Sequence, residues 1–357
     1  MKQIIHFSHD MKEAELCNKQ YSSSSKRFEV EAVYALSKYA KVTVINFKTS
    51  NTKVIKISDN LYFMTMASSF DLIKLLFTLK SDSIIVFSGY DLKKMLYAYT
   101  YCLIGGRSYS YIYDSHKVAI NNKSLIKRVF LDVYFNLGYW LSKKITGWLV
   151  LNDLFIKHEA LEINYFKTGI GLTNKEVKTA VSISKNKSKV FMYAGTLNDD
   201  NGVSVLLDSF RKNNFDAELH IYGDGDLKIK VQDISKKNRN IKYFGRVNSF
   251  DLDLAYRKAD VLINFRDPLS ISNEIAFPSK ISEYIEYEKL IISTPLPNMY
   301  GDLTGSIITL NSLEQYDVEN AITTALISSA DVSLLKCIKS KFTWDYFFKK
   351  QICFFKR

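Results

Sequence analysis

The segment FPSKISEYIEYEKLIIST, residues 277–294, sets Ser279, Lys280 and Glu283 at the start of a helical pattern that runs on into an apolar strand. A hydroxyl and an ammonium at a helix N-terminus make an anion site, because the unpaired N–H groups there carry partial positive charge. A carboxylate one turn further can accept hydrogen bonds from two neighbouring hydroxyls at once. Upstream, YAGTLNDDNGVSVLLDSF (193–210) reads as a strand, a glycine loop and an amphipathic helix. The amides of Gly195 and Thr196 are expected to be exposed there and to hold phosphate oxygens. YFGRVNSFDLDLAYRKADVLINFR (243–266) places Gly245, Arg246 and Arg266 just after strands. In the first half, His9 and His116 (in YDSH, 113–116) also follow strands, and histidine titrates near neutral pH.

These residues need a scaffold, and the apolar pattern supplies one. Short apolar runs at 2–7, 42–47, 83–87, 109–113 and 147–151 read as strands. Helical patterns fall near 26–38, 68–80, 91–104 and 124–144. The polar, Lys-rich stretch after residue 170 reads as a linker. The pattern then restarts, with strands at 189–195, 217–223, 240–244, 259–264 and 289–293. Helices are expected near 202–212, 226–236, 249–258 and 278–287. Strands alternating with helices predict an α/β protein with two Rossmann-like domains facing across a cleft. The expected divisions are 1–170, a linker at 171–188, 189–340, and a final helix at 341–357. Ligands of such sheets bind at the carboxyl ends of the strands, where the residues above cluster.

Composition narrows the chemistry. Phe and Tyr number 23 each, ample core material, which excludes disorder as the main state. The four cysteines form no C-x-x-C pair, so neither a zinc site nor a redox dithiol is indicated, and scattered free thiols fit a reducing cytosol. The five histidines show no metal-binding spacing, and no metal or other cofactor is expected. GDGDLK (223–228) ends on Lys228 where a dinucleotide fingerprint needs glycine, and Asp224 reads as a helix cap. No G-x-S-x-G elbow is present. The N-terminus reads as a first strand, not as a signal peptide. No run of about 18 apolar residues occurs, so no spanning helix is expected.

The net charge is +12, and +9 of it belongs to residues 1–170. Such a field attracts anions. Nucleic acid is not expected as a partner, since neither zinc-finger spacing nor an RNP-like motif is found. Residues 124–144, SLIKRVFLDVYFNLGYWLSKK, are aromatic and bracketed by basic residues. They read either as a helix lying on an anionic leaflet or as a helix buried against a sheet.

The order of the features from 189 to 294, with FPSK-x-x-EY as the strongest marker, resembles the C-terminal domain of retaining glycosyltransferases of the GT-B fold, family 4 type. The likeness is greatest to members that build bacterial capsule and O-antigen polysaccharides. It extends loosely to YDSH (113–116) and LND (151–153), and TWDYFFKK (343–350) is similar to the family's last helix, which crosses back onto the first domain. The resemblance implies transfer of a sugar from a nucleotide-diphosphate donor to a saccharide acceptor, here one carried on a lipid. It implies a cytoplasmic enzyme, peripheral at the inner face of the plasma membrane. Glu283 would hold the ribose hydroxyls, Lys280 and Ser279 the diphosphate, and Gly245 and Arg246 would lie near the base. His116 would reach the donor sugar from the first domain.

The sequence departs from the family at two places. Thr196 and Asn201 stand where members carry Arg and Lys in the first glycine loop, so Lys280, with Arg266 or Arg27, would supply the charge. Glu274 lies one position too early to pair with Glu283 as the family's first carboxylate, and Ile275 holds the expected place; Glu274 or Asn273 would then reach the sugar. Two rivals stand beside this reading. One is a non-catalytic subunit that binds a nucleotide sugar or scaffolds a glycan assembly. The other is a nucleotide-sugar epimerase of similar architecture, which needs no acceptor.

Overall fold

The computed structural model describes residues 3–8, 11–18, 24–46, 51–79, 83–112, 124–150, 156, 163–168, 171–172, 188–267, 279–295 and 306–356, with backbone alone at 24–26 and 279. The chain divides into two compact units: Met1–Gly171 with Trp344–Arg357, and Leu172–Thr343. The first unit runs β1 (Gln3–Phe7), α1 (Glu13–Asn18), α2 (Ser24–Ser37), β2 (Lys41–Asn46), β3 (Lys53–Ser58), β4 (Leu61–Thr65), α3 (Ser69–Thr78), β5 (Ser83–Ser88), α4 (Leu92–Leu103), β6 (Arg107–Ile112), α5 (Leu125–Ser142), β7 (Gly147–Val150) and β8 (Tyr165–Lys167). The second runs β9 (Lys189–Ala194), α6 (Val203–Lys212), β10 (Ala217–Tyr222), α7 (Lys228–Lys237), β11 (Ile241–Gly245), α8 (Ser249–Lys258), β12 (Val261–Asn264), α9 (Ser279–Glu286), β13 (Leu290–Ser293), β14 (Ile307–Thr309), α10 (Gln315–Ile327) and α11 (Val332–Lys341). The last helix, α12 (Trp344–Lys356), belongs to the first unit.

The first unit holds an eight-stranded sheet in the order β3-β4-β2-β1-β5-β6-β7-β8. Its central strands, QIIHF and SIIVFS, are buried along nearly their whole length, as a parallel strand covered on both faces requires. β3 (KVIKIS) runs antiparallel to β4 on the edge, and its exposed Lys53 and Lys56 guard that edge against further pairing. Lys53 and Lys56 interrupt the apolar alternation, so the sequence pattern assigns no element to 53–65. α4 touches both α3 and α5, and the right-handed rule for strand–helix–strand crossovers assigns these three to one side of the sheet and α2 to the other. There α12 packs beside α2. Trp344 donates from Nε1 to Glu31 at 3.0 Å and its ring meets Phe28. Gln351, fully buried, exchanges hydrogen bonds with Tyr111.

The second unit's six strands are all parallel, in the order β11-β10-β9-β12-β13-β14. This is the doubly wound order, with its reversal between β9 and β12. Phe191, Tyr193, Leu206, Leu219, Ile263 and Ile292 lie in the core that joins sheet and helices. Lys189 opens β9 and donates from Nζ to the carbonyls of Ala325 (2.9 Å) and Ser328 (2.7 Å), closing the C-terminus of α10. Most of the linker expected at 171–188 lies outside the described residues.

Candidate functional site

In the second unit the loops after β9, β10, β11 and β12 meet at the carboxyl edge of the sheet. Backbone hydrogen bonds tie them together: Gly195 N–H to Tyr222 O (2.9 Å), Gly223 N–H to Gly245 O (2.9 Å), and Asp267 N–H to Asp200 O (2.8 Å). Two glycines allow this close approach. A Cβ on Gly223, whose φ is +135°, would fall 1.8 Å from the Gly195 carbonyl oxygen, and one on Gly225 2.6 Å from that of Leu197. At these two positions the loops leave no room for a Cβ, and backbone faces backbone.

Lys280 enters this crevice at the reversal point of the strand order. It stands in the first turn of α9, a helix seated by buried Ile281, Tyr284 and Ile285, with the Tyr284 hydroxyl donating to the Ile263 carbonyl on β12 (3.1 Å). Its Nζ lies 5.0 Å above the centre of the Tyr193 ring, a cation–π contact. Its Nζ also occupies the space in front of Gly195, where a Cβ would come within 2.1 Å. Burial, then the nearby Arg266 guanidinium, push its pKa down to about 8, and the Glu283 carboxylate one turn along opposes them. The Lys280 ammonium thus feels a second cation, Arg266, on one side and the Glu283 carboxylate on the other. An anion entering here would relieve the repulsion between Lys280 and Arg266.

Tyr193 is the residue that sequence reasoning missed. It lies within an apolar strand run and reads as plain core. Its ring carries Lys280, while its hydroxyl donates to the Thr196 carbonyl at 2.7 Å. The same carbonyl accepts from the Asn201 amide side chain at 3.1 Å. Burial raises the Tyr193 pKa, with Arg266 working in the opposite direction, so it stays protonated. Asn264, at the end of β12, is also buried. Its Nδ2 donates to Ser293 Oγ at 3.0 Å, and its Oδ1 has no partner among the described residues.

The structure brings together Gly195, Lys280, Arg266 and Glu283. Thr196 is exposed at the same loop. Gly195's contribution is space: its N–H is already taken by the Tyr222 carbonyl, which corrects the expectation that this amide is exposed for phosphate. The reason is that the β9–β10 ladder continues one residue past the strand. Gly245 ends β11 at φ +70°, and Arg246 follows it, exposed. Asp224 does not cap α7; that helix begins four residues later, with no side-chain cap at Leu227. The Asp224 carboxylate instead pairs with Lys228 at 3.1 Å and accepts from the Gly225 N–H, and its pKa is lowered by these two, with Arg246 a smaller influence. Arg27 pairs with Glu31 at 2.8 Å within α2. His9, His116, Asn273, Glu274 and Ile275 lie outside the described residues, as does the side chain of Ser279. Among the described residues no group of three or more His, Cys, Asp or Glu is gathered as for a metal ion.

Residues 174–322, which include this crevice, match the family model described as glycosyl transferases group 1. No curated protein matches the chain. Among solved structures, the chain is similar to a trehalose-6-phosphate synthase, OtsA, with a TM-score of 0.72, 12% identity, and coverage of 100% of this chain and 99% of that one. It is similar to an E. coli structure described as trehalose-6-phosphate bound with UDP-2-fluoro glucose (TM-score 0.68, 13% identity, 100% and 99% covered). It is also similar to the lipopolysaccharide outer core galactosyltransferase WaaB in its apo form (TM-score 0.63, 15% identity, 99% of each chain covered). At these identities the structural likeness is one of fold. The fold is GT-B, with two Rossmann-like units, and the chain is a glycosyltransferase enzyme.

Proposed function

We propose that the chain moves a sugar, with retention of its anomeric configuration, from a nucleotide-diphosphate donor to a lipid-linked saccharide at the cytoplasmic face of a bacterial plasma membrane. The product would serve surface polysaccharide synthesis. The observation that carries the donor half is the Lys280 ammonium, held against Gly195 and Tyr193 beside Arg266 and Glu283. In this reading Lys280, Ser279, Thr196 and Arg266 hold the diphosphate, and the cations offset charge on the leaving group. Glu283 takes the ribose hydroxyls, and Gly245 and Arg246 border the base. His116 and Glu274 are assigned to the transferred sugar. The leaving phosphate itself assists the incoming hydroxyl, so no protein nucleophile is required. One similar structure is described as bound with UDP-2-fluoro glucose and another as a lipopolysaccharide galactosyltransferase, which agrees with a sugar nucleotide donor and a membrane glycan acceptor. Closure over the donor would keep water from the reactive carbon.

Calorimetric titration with UDP, GDP and their sugars tests the donor site. One nucleotide is expected to bind, and Lys280→Ala and Glu283→Ala each to weaken it by about tenfold or more. The free ammonium loses its proton as pH rises through about 8. A bound diphosphate favours the charged form and raises that pKa, so binding takes up a proton above pH 8. Affinity is therefore flat below about 8 and falls above it, and Lys280→Ala removes this dependence. No binding of any nucleotide by the folded protein would overturn the assignment.

A further inference from the structure

Helix α5 is apolar on two sides. Its inner row seats on the start of α4. A Cβ on Gly138 would fall 2.1 Å from the Tyr90 carbonyl oxygen, the Tyr134 hydroxyl accepts from the Lys93 N–H, and Phe135 and Tyr139 pack on Tyr90. Its outer row is Ile126, Val129, Phe130, Val133, Leu137 and Trp140, at the three- and four-residue spacing of one helix face. These side chains are exposed, from 49% at Leu137 to 85% at Ile126. The row has company. Phe70 and Phe77 on α3 and Leu96 and Leu103 on α4 are exposed as well. α4 touches both α3 and α5, and the right-handed crossover rule assigns all three helices to the same side of the sheet. Of the 24 exposed large apolar side chains among the described residues, 13 lie on these three helices and their caps, so the exposure is concentrated in a single layer. A free monomer surface rarely carries such a patch.

The charges around the patch indicate what it meets. Residues 68–79, 91–104 and 124–144 carry seven Lys and Arg against three Asp. Lys74 lies over Phe70, Lys143 over Tyr139 and Lys144 over Trp140, each ammonium 4.5–4.6 Å from the ring centre. Their stems follow apolar surface while their heads reach the rim. Arg128, Asp132, Asn136 and Lys143 form a polar row beside the outer stripe. An apolar stripe with aromatic borders and a cationic rim matches the headgroup–acyl boundary of an anionic bilayer. No single helix among the described residues is long and apolar enough to cross a membrane, and α5, about 27 Å long, fits lying flat. A second copy on the same face would set cation against cation.

We propose that the α3–α4–α5 face docks the enzyme on an anionic lipid surface. The proposal stands apart from the donor site and supplies a means of meeting a lipid-linked acceptor. Flotation with phosphatidylcholine vesicles, with and without phosphatidylglycerol, tests it. The wild-type chain is expected to float with the anionic vesicles, and less as salt is raised. Ile126→Ser with Phe130→Ser should reduce partitioning about tenfold. Lys127→Gln, Arg128→Gln, Lys143→Gln and Lys144→Gln together should reduce it about a hundredfold on anionic vesicles. All six sites are exposed, so the variants are expected to melt like wild type, and nucleotide titration on the same preparations reports the donor site separately. Failure of the folded wild-type chain to float overturns the proposal. So does unchanged flotation of the Ile126/Phe130 variant, or a dimer that this variant dissociates without any vesicle binding.

Discussion

Gly195 and Gly223 both follow strands in the second unit, and each is a glycine for a different reason. At Gly195 an added Cβ would meet the ends of two side chains, the Lys280 ammonium at 2.1 Å and the Tyr193 hydroxyl at 3.0 Å. Lys280 can move aside, so Gly195→Ala is expected to cost less than about 1 kcal/mol of stability while displacing the ammonium and weakening nucleotide binding about tenfold. At Gly223 the Cβ would meet a backbone oxygen at 1.8 Å, and φ is +135°. Gly223→Ala is expected to destabilise by about 3 kcal/mol or more. Thermal melts and nucleotide titrations on both variants separate the two; equal melting losses would make Gly195 merely structural. The helix-start position of Lys280 and Glu283 was legible in the sequence, because their spacing follows a recognisable helix pattern. Tyr193 was not, because an aromatic residue inside a buried strand gives the same pattern whether it fills the core or supports a cation.

Most strands and helices of the second unit follow the apolar period, and their expected positions agree with the structure to within a few residues. What the period does not show is how elements close on one another. Lys189 reads as the last charge of a Lys-rich linker, yet its ammonium caps two carbonyls at the end of α10. Lys189→Met keeps the length and removes both hydrogen bonds, leaving the Ala325 and Ser328 carbonyls without this donor. The expected loss is about 2 kcal/mol, read as a lower urea midpoint for the second unit. An unchanged midpoint would show that water replaces the ammonium at no cost. β3 and β4 illustrate the opposite failure: lysines every third residue hide a hairpin that is defined only by its place at the sheet edge.

On the scale of the whole chain, the first unit is completed by residues from the far end of the sequence. α12 buries Trp344, Phe347, Phe348, Ile352 and Phe355 within it. Five such side chains contribute about 10 kcal/mol, comparable with the about 5–15 kcal/mol that holds a typical domain. A chain ending at Thr343 is therefore expected to lose the first unit's calorimetric transition and keep that of the second. Persistence of both transitions would make the last helix dispensable. The sequence by itself determined the α/β class, the restart of the pattern near Lys189, the strand-end placement of Gly195, Gly245, Arg246 and Arg266 and the excess of positive charge in the first half, because each is written in local spacing and composition. Only the tertiary structure decided which loops touch, that Gly195's amide is taken while its missing side chain makes room, that Tyr193 lies beneath Lys280, and that one side of α5 is left bare. Those outcomes depend on strand order and on contacts between residues remote in the chain, which no local pattern encodes.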